Sequence, residues 1–293
     1  MPQRFSEEVP LYYSYSKRAV MEDNRAYFFA TDLYNDDVYA VVSDRNDDSL
    51  WATKVCSPVE GHPDARNGMI LTGRGYDVFL WDMSTASVYK ANVETDVVKV
   101  LRENVASRPV LQFFEDGRYL LCTENRVALC SADDKEELVI TLKDMKGVSG
   151  CLIDNQLVLL VDSGDLVRYD LQGNKLGDVE THLYTSFFTS IANDYLQEEI
   201  MWTRTDDGDL VLEIFDAGNL IDTESWQLKA WIPQCVTYYK AGDQFLTYGS
   251  NDASKDAFGF YPRYTLADIK AMATEALKGF TLSQEQKEQY GIS

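Results

Sequence analysis

Apolar runs along this chain come in pairs, each pair joined by a tight polar turn. Residues 155–170 are the clearest case. Leu157, Val158, Leu159, Leu160 and Val161 follow one another without a break, Asp162, Ser163, Gly164 and Asp165 supply turn chemistry, and Leu166, Val167, Arg168 and Tyr169 return. A continuous apolar run predicts a strand covered on both faces, because a half-exposed strand would alternate. Glycine in the turn takes a positive φ at no steric cost. The same order recurs at 200–202, Asp206-Asp207-Gly208 and 210–215, and at 69–72, Gly73-Arg74-Gly75 and 78–81. Six hairpins are predicted, over 26–44, 68–82, 117–131, 155–170, 198–216 and 242–262.

Their ends recur roughly every 38 to 49 residues, the period of a four-stranded blade. This predicts an all-β fold, a closed β-propeller of six blades, or of seven if the long stretch between Asp82 and Ser131 holds two units. Residues 110–114, 148–153, 186–191 and 235–240 are the expected innermost strands, and 87–91, 137–142 and 226–231 the outer ones. The last hairpin has no strand after it, because the chain turns helical at Thr265. The aromatic run 11–16 is therefore assigned to pair with the last blade and close the ring, which would remove an exposed edge. Thr265 and Asp268 form a capping box, and Leu266, Ile269, Met272, Ala273, Ala276 and Leu277 follow helical spacing up to Gly279. The predicted division is a propeller over 1–264 and a short C-terminal helical tail, packed on the propeller, over 265–293.

Composition narrows the partners. Acidic side chains number 48 against 27 basic ones, a net charge of −21, which repels phosphate backbones and anionic lipid; neither nucleic acid nor a membrane is an expected partner. A basic protein surface is the complementary one. Cys56, Cys122, Cys130, Cys151 and Cys235 are odd in number and contain no C-x-x-C pair, which predicts buried thiols in a reducing compartment. Residues 1–9 carry Glu7 and Glu8 and no apolar core of a signal peptide, and no apolar stretch approaches the roughly 20 residues of a membrane helix. The expected location is cytoplasmic.

The hairpin ends Trp81-Asp82, Tyr169-Asp170 and Phe215-Asp216 resemble the strand endings of WD40 repeats. The tail, from Leu266-Ala267-Asp268-Ile269-Lys270 through Leu277-Lys278-Gly279-Phe280-Thr281-Leu282 to Tyr290, resembles the ending of many divergent bacterial WD40-like propellers. The resemblance implies a sensor or interaction domain of the kind found behind NACHT-type ATPase, TIR or kinase modules. It carries no site residue over, because the shared positions are structural. Gly61-His62 is the only Gly-His and stands too close to Trp81 for the repeat spacing, while Asp209 alone keeps the turn position six residues before its strand end.

Candidate chemistry is thin. Only His62 and His182 are available as bases, both in predicted loops, and neither G-x-S-x-G nor H-E-x-x-H occurs. Asp44, Asn46 and Asp48 begin like a calcium loop, but Val55 stands where a bidentate Glu is required. Asp206, Asp207 and Asp209 are expected as a solvated acidic turn. No cofactor and no metal is predicted. The reading that remains is a non-enzymatic module binding a protein or small effector, with a hydrolase or lyase acting at the axial channel as the alternative. Arg74, Tyr76, Arg126 and His182 are the candidate contact residues, placed together on one face, because Arg and Tyr combine contact area with directed hydrogen bonds.

Overall fold

The computed structural model describes residues 11–12, 20–22, 24–32, 37–46, 49–57, 68–181, 200–214, 217–248, 258–264, 266–276 and 278. Its chain contacts form two compact units, Met1–Ile200 and Met201–Ser293. The boundary between them lies well before the one that the sequence placed after residue 264.

Among the described residues the first unit holds four antiparallel sheets. The second, third and fourth are meanders in chain order, while in the first sheet two short strands both pair with the same third one. The first sheet contains β1 (Leu11–Tyr12), β2 (Val20–Glu22), β3 (Arg25–Asp32), β4 (Val38–Asp44) and β5 (Ser49–Cys56). The second contains β6 (Gly68–Arg74), β7 (Asp77–Asp82), β8 (Ser87–Asn92) and β9 (Val97–Arg102). The third contains β10 (Val110–Phe113), β11 (Tyr119–Thr123), β12 (Arg126–Cys130) and β13 (Glu136–Thr141). The fourth contains β14 (Gly147–Ile153), β15 (Gln156–Val161), β16 (Leu166–Asp170) and β17 (Lys175–Val179).

Among its described residues the second unit has two sheets and a helix. One sheet contains β18 (Met201–Arg204), β19 (Leu210–Ile214), β20 (Ala217–Asp222) and β21 (Gln227–Pro233); the other, among the described residues, contains β22 (Cys235–Tyr239), β23 (Gln244–Tyr248) and β24 (Phe258–Pro262). Helix α1 (Leu266–Ala276) follows. Met272, Ala273 and Ala276, expected on the packed stripe of the tail, are exposed.

The uninterrupted apolar runs are second strands, and their burial is two-sided as expected. β11 and β19 are buried at every residue, and β7 and β15 at all but the first. Successive sheets of the first unit lie face to face. Tyr27, Phe29, Val78 and Leu80 share a core between the first and second sheets. Phe79, Trp81, Leu121 and Ala128 share one between the second and third, and Leu120, Val127, Leu157 and Leu159 one between the third and fourth. In the second unit, Val211 and Leu220 meet Tyr238 and Phe245 in the same way. Each sheet thus buries a face it could not bury alone, at about 25 cal/mol per Å² of apolar surface.

The predicted hairpins fall in two registers, which explains their uneven spacing. Residues 26–44, 117–131, 155–170 and 242–262 join second and third strands, whereas 68–82 and 198–216 join first and second. The long interval from Asp82 to Ser131 holds β8 and β9, not a further sheet, and the sheets described number six. Residues 87–91, expected as an outer strand, belong to a third strand, β8. Residues 11–16 are also reassigned in part. Leu11 and Tyr12 pair with Asp32 and Thr31 of β3 in the first sheet rather than with the last blade; residues 13–16 lie outside those described.

The Asp that ends so many strands is a turn cap. Asp44, Asp82, Asp170 and Asp222 accept from backbone N–H groups in the following turn: Asn46 at 2.9 Å, Thr85 at 3.0 Å, Gln172 at 2.9 Å and Glu224 at 2.8 Å. Asp82, fully buried, also accepts from both the Ser84 and Thr85 hydroxyls. The aromatic–Asp ending is therefore local backbone chemistry of the Asx-turn kind. Phe215 and Asp216 lie outside the described residues.

Candidate interaction surface

The four sequence candidates do not form one face. Arg74 ends β6 and Tyr76 follows the turn glycine Gly75, so both stand where the first and second strands of their sheet join. Arg126 begins β12, where the second and third strands of the next sheet join, at the opposite end of an antiparallel meander. His182 lies outside the described residues. Tyr76 is half-buried, edge-on to Trp51 at 5.6 Å with the Arg25 guanidinium 4.7 Å from its ring centre, and Arg25 in turn holds Asp44 at 2.7 Å. It is packing between sheets rather than a displayed anchor. Arg74 is exposed, yet its guanidinium lies 5.3 Å from the Phe113 ring centre. Arg126 pairs with Glu136 at 2.7 Å, and Arg102 of the preceding sheet takes the other oxygen at 2.8 Å.

A further ion-pair chain forms a similar seam. Lys90 lies 3.2 Å from both Asp77 and Asp134, which also binds Lys99 at 3.1 Å, and this chain stitches the second sheet to the third. In the second unit, the expected solvated turn Asp206-Asp207-Gly208-Asp209 is solvated at Asp206 and Asp207 but not at Asp209. Asp209 is buried, bound by Lys229 at 2.7 Å, and Arg263 grips Asp207 at 2.8 Å and Asp243 at 2.7 Å. Among the described residues no group of three His, Cys, Asp or Glu is arranged to hold a metal ion. Burial pushes the Cys122 thiol up to about 12. It does the same to Cys56 and Cys235, with Asp82 and Glu213 respectively adding to the rise. These thiols stay protonated and poor nucleophiles at neutral pH.

Two first strands carry a bulge whose backbone donor is met from the preceding sheet. Gln112 of β10 accepts from the Ser149 hydroxyl at 2.8 Å and the Gly150 N–H at 3.0 Å, beside the irregularity between Gly147 and Ser149. Glu213 of β19 accepts from the Tyr238 N–H, beside the irregularity between Cys235 and Thr237. Burial raises the Glu213 carboxyl above its ordinary range, against the lowering effect of the Tyr238 N–H and the Thr237 and Cys235 side chains. A carboxyl raised in the folded state binds its proton more tightly there, so its contribution is fullest below the unfolded pKa and declines as pH rises through the folded one. Glu213→Gln keeps an acceptor for Tyr238 and is expected to hold or raise stability at pH 7 and to flatten that decline. Glu213→Ala strands the donor and should cost about 2 kcal/mol. Urea titrations of both variants at pH 5 and pH 7 check the pair of outcomes; a Gln variant weaker than wild type at pH 7 contradicts the assignment.

The last sheet differs from the others in what it leaves uncovered. Tyr238 and Phe245 turn inward to the core shared with β19 and β20. The register Tyr239↔Gln244, Leu246↔Phe260 and Tyr248↔Phe258 puts Tyr239, Leu246, Tyr248, Phe258 and Phe260 together on the other face. There Phe258 is 70% exposed, Phe260 60% and Tyr239 53%. Tyr239 lies edge-on to Phe260 at 6.4 Å, and Tyr248 is tilted against Phe258 at 6.4 Å. Sequence reading passed over this surface because strand aromatics usually fill the space between sheets. The signal that was available is the Phe-Gly-Phe-Tyr-Pro run, aromatic on both sides of the strand with no charge.

Solved structures with similar coordinates include the WD40 β-propeller domain of Doa1, at 14% identity and a TM-score of 0.44, over 80% of this chain and 75% of that one. The C-terminal WD40 domain of Sif2 matches at 10% identity and a TM-score of 0.48, over 81% and 69%. BamB from Moraxella catarrhalis matches at 10% identity and a TM-score of 0.46, over 88% and 79%. No family model matches the chain, and no curated protein matches it by sequence.

Proposed function

We propose that the chain is a non-enzymatic protein-interaction module built of propeller-type blades, and that it binds a basic protein partner through the outward face of its last sheet. One observation carries this reading: Tyr239, Tyr248, Phe258 and Phe260 form a contiguous exposed aromatic surface on regular strands. Monomeric proteins rarely leave such surface uncovered without a use for it, and Tyr and Phe are favoured interface residues. Residues 201–293 carry fourteen acidic against eight basic side chains, so a basic partner is the complementary one. A cytoplasmic sensing role in a larger bacterial system is what the tail's resemblance adds. The free cysteines, with thiols held protonated, fit a reducing compartment.

The test is affinity capture with wild type and with Phe258→Ala/Phe260→Ala. Loss of a true anchor costs about 2 kcal/mol, roughly a 30-fold drop in affinity, with an unchanged melting temperature. Partners retained at full strength by the double variant would remove this surface from consideration. Hydrolase or lyase turnover by the purified protein would overturn the non-enzymatic reading.

A further inference from the structure

Five of the six sheets end on a fourth-position strand built as an outer edge. β5, β9, β13, β17 and β21 carry Lys54, Lys99, Glu137, Lys175 and Lys229, and every one pairs with its inner neighbour through a register irregularity. Bulges twist an edge away from further pairing, and charges repel it. The last sheet lacks both devices. Its outer strand, β24, pairs with β23 in unbroken register from Gln244↔Pro262 to Tyr248↔Phe258. Its sequence, Phe258-Gly259-Phe260-Tyr261-Pro262, has no charged residue.

β24 also occupies the position of a third strand. The other third strands, β4, β8, β12, β16 and β20, are largely buried, whereas Phe258, Phe260 and Tyr261 are 57–70% exposed although they point to both faces of the sheet. Among the described residues β23 is its one strand partner. Half of the backbone N–H and C=O groups of an antiparallel edge strand point away from its neighbour. β24 thus presents a regular, uncharged, aromatic edge of the kind that accepts another strand.

We propose that β24 is an acceptor edge for an extended basic segment of a partner protein, which adds as the fourth strand of the last sheet. This rests on the interaction reading above and specifies its mode. The outward N–H and C=O groups of Phe258 and Phe260 and the Pro262 carbonyl hold the segment. Its alternate side chains cover Phe258 and Phe260 on one face and Tyr261 on the other, where Lys or Arg gains cation–π contact. The net charge of −21 opposes pairing of β24 with a second copy and favours the basic strand.

The probe is a short peptide alternating lysine with valine and phenylalanine, added to the full chain. It is read by fluorescence anisotropy and by amide hydrogen exchange over 244–262. The expected result is saturable binding with slowed exchange at the Phe258 and Phe260 amides, which point away from β23. An otherwise identical peptide N-methylated at alternate residues should bind about tenfold or more weakly, as should a glutamate-for-lysine copy. Equal binding of the N-methylated peptide would overturn strand addition while leaving the aromatic surface as a side-chain docking face. Equal binding of the glutamate peptide would overturn the basic partner. No binding of the lysine peptide, or exchange at the Phe258 and Phe260 amides already as slow as at 244–248 without peptide, would overturn the proposal, the latter because the edge is then taken by the chain itself or a second copy.

Discussion

Gly73→Ala is expected to destabilise the protein by about 3 kcal/mol or more, beyond the usual cost of a single overpacking change. Gly73 lies in β6 directly under the ring of Tyr27, and a Cβ built there would overlap three of the ring carbons. The ring has nowhere to go. Tyr27 is fully buried among Phe29, Val78 and Leu80, and its hydroxyl donates to the Gly75 carbonyl at 3.0 Å. Any rotation that relieves the overlap breaks that bond and opens the core between the first two sheets. The backbone at Gly73 does not itself require glycine, so the penalty is one of space and should be coupled to Tyr27. In a double-mutant cycle, Tyr27→Leu, itself destabilising, should absorb most of the cost of Gly73→Ala. Guanidinium titrations measure all four proteins. A Gly73→Ala variant within about 0.5 kcal/mol of wild type would mean that β3 and β6 do not meet as described.

Arg263→Ala is expected to cost about 3 kcal/mol, chiefly by leaving carboxylates without their cation. The guanidinium makes two bidentate pairs, with Asp243 at 2.7 and 3.1 Å and with Asp207 at 3.0 and 2.8 Å, and lies 3.6 Å from buried Asp209. It ties the end of β24 to the turns before β19 and β23, and so both sheets of the second unit depend on it. Asp207 and Asp243 are partly exposed, which keeps the loss below that of a fully buried triad, and Lys229 remains on Asp209. Arg263→Lys should recover less than half of the deficit, because an ammonium cannot present two planar forks. Acid response gives a second readout. Burial pushes the Asp207 carboxyl up, but the Thr205 hydroxyl and Arg263 outweigh it and hold it below its ordinary range. Its contribution is therefore present above the unfolded pKa and lost as pH falls through the folded one. Without Arg263 that acid-side loss should shrink, so the gap between variant and wild type narrows toward low pH. A gap that stays constant from pH 7 down to about pH 3 would show that the ion pairs do not carry the difference.

The hairpins could be read from the sequence because their physics is local. A strand covered on both faces leaves an uninterrupted apolar run, as at 157–161, and a tight turn demands Gly or Asp, as at Gly164 and Asp165. Capping has the same reach, and Asp82 and Asp170 close their own turns within three or four residues. What pairs with a hairpin is not local. Trp81-Asp82 ends a second strand and Tyr169-Asp170 a third, yet the two read alike, because the Asx-turn they form does not depend on the strand's place in its sheet. Tyr76 and Arg126 looked equivalent as loop residues; antiparallel alternation puts them at opposite ends, and long-range packing on Trp51 and pairing with Glu136 occupy them. Phe258 and Phe260 show the reverse failure. Their residue types suit a core strand as well as an exposed one, and only the absence of a covering strand beside β24, among the described residues, makes them a surface. Composition and turn chemistry determined the strands of this protein, while long-range pairing determined which aromatic residues are core and which are left to meet a partner, since burial belongs to the neighbour across the sheet and not to the residue itself.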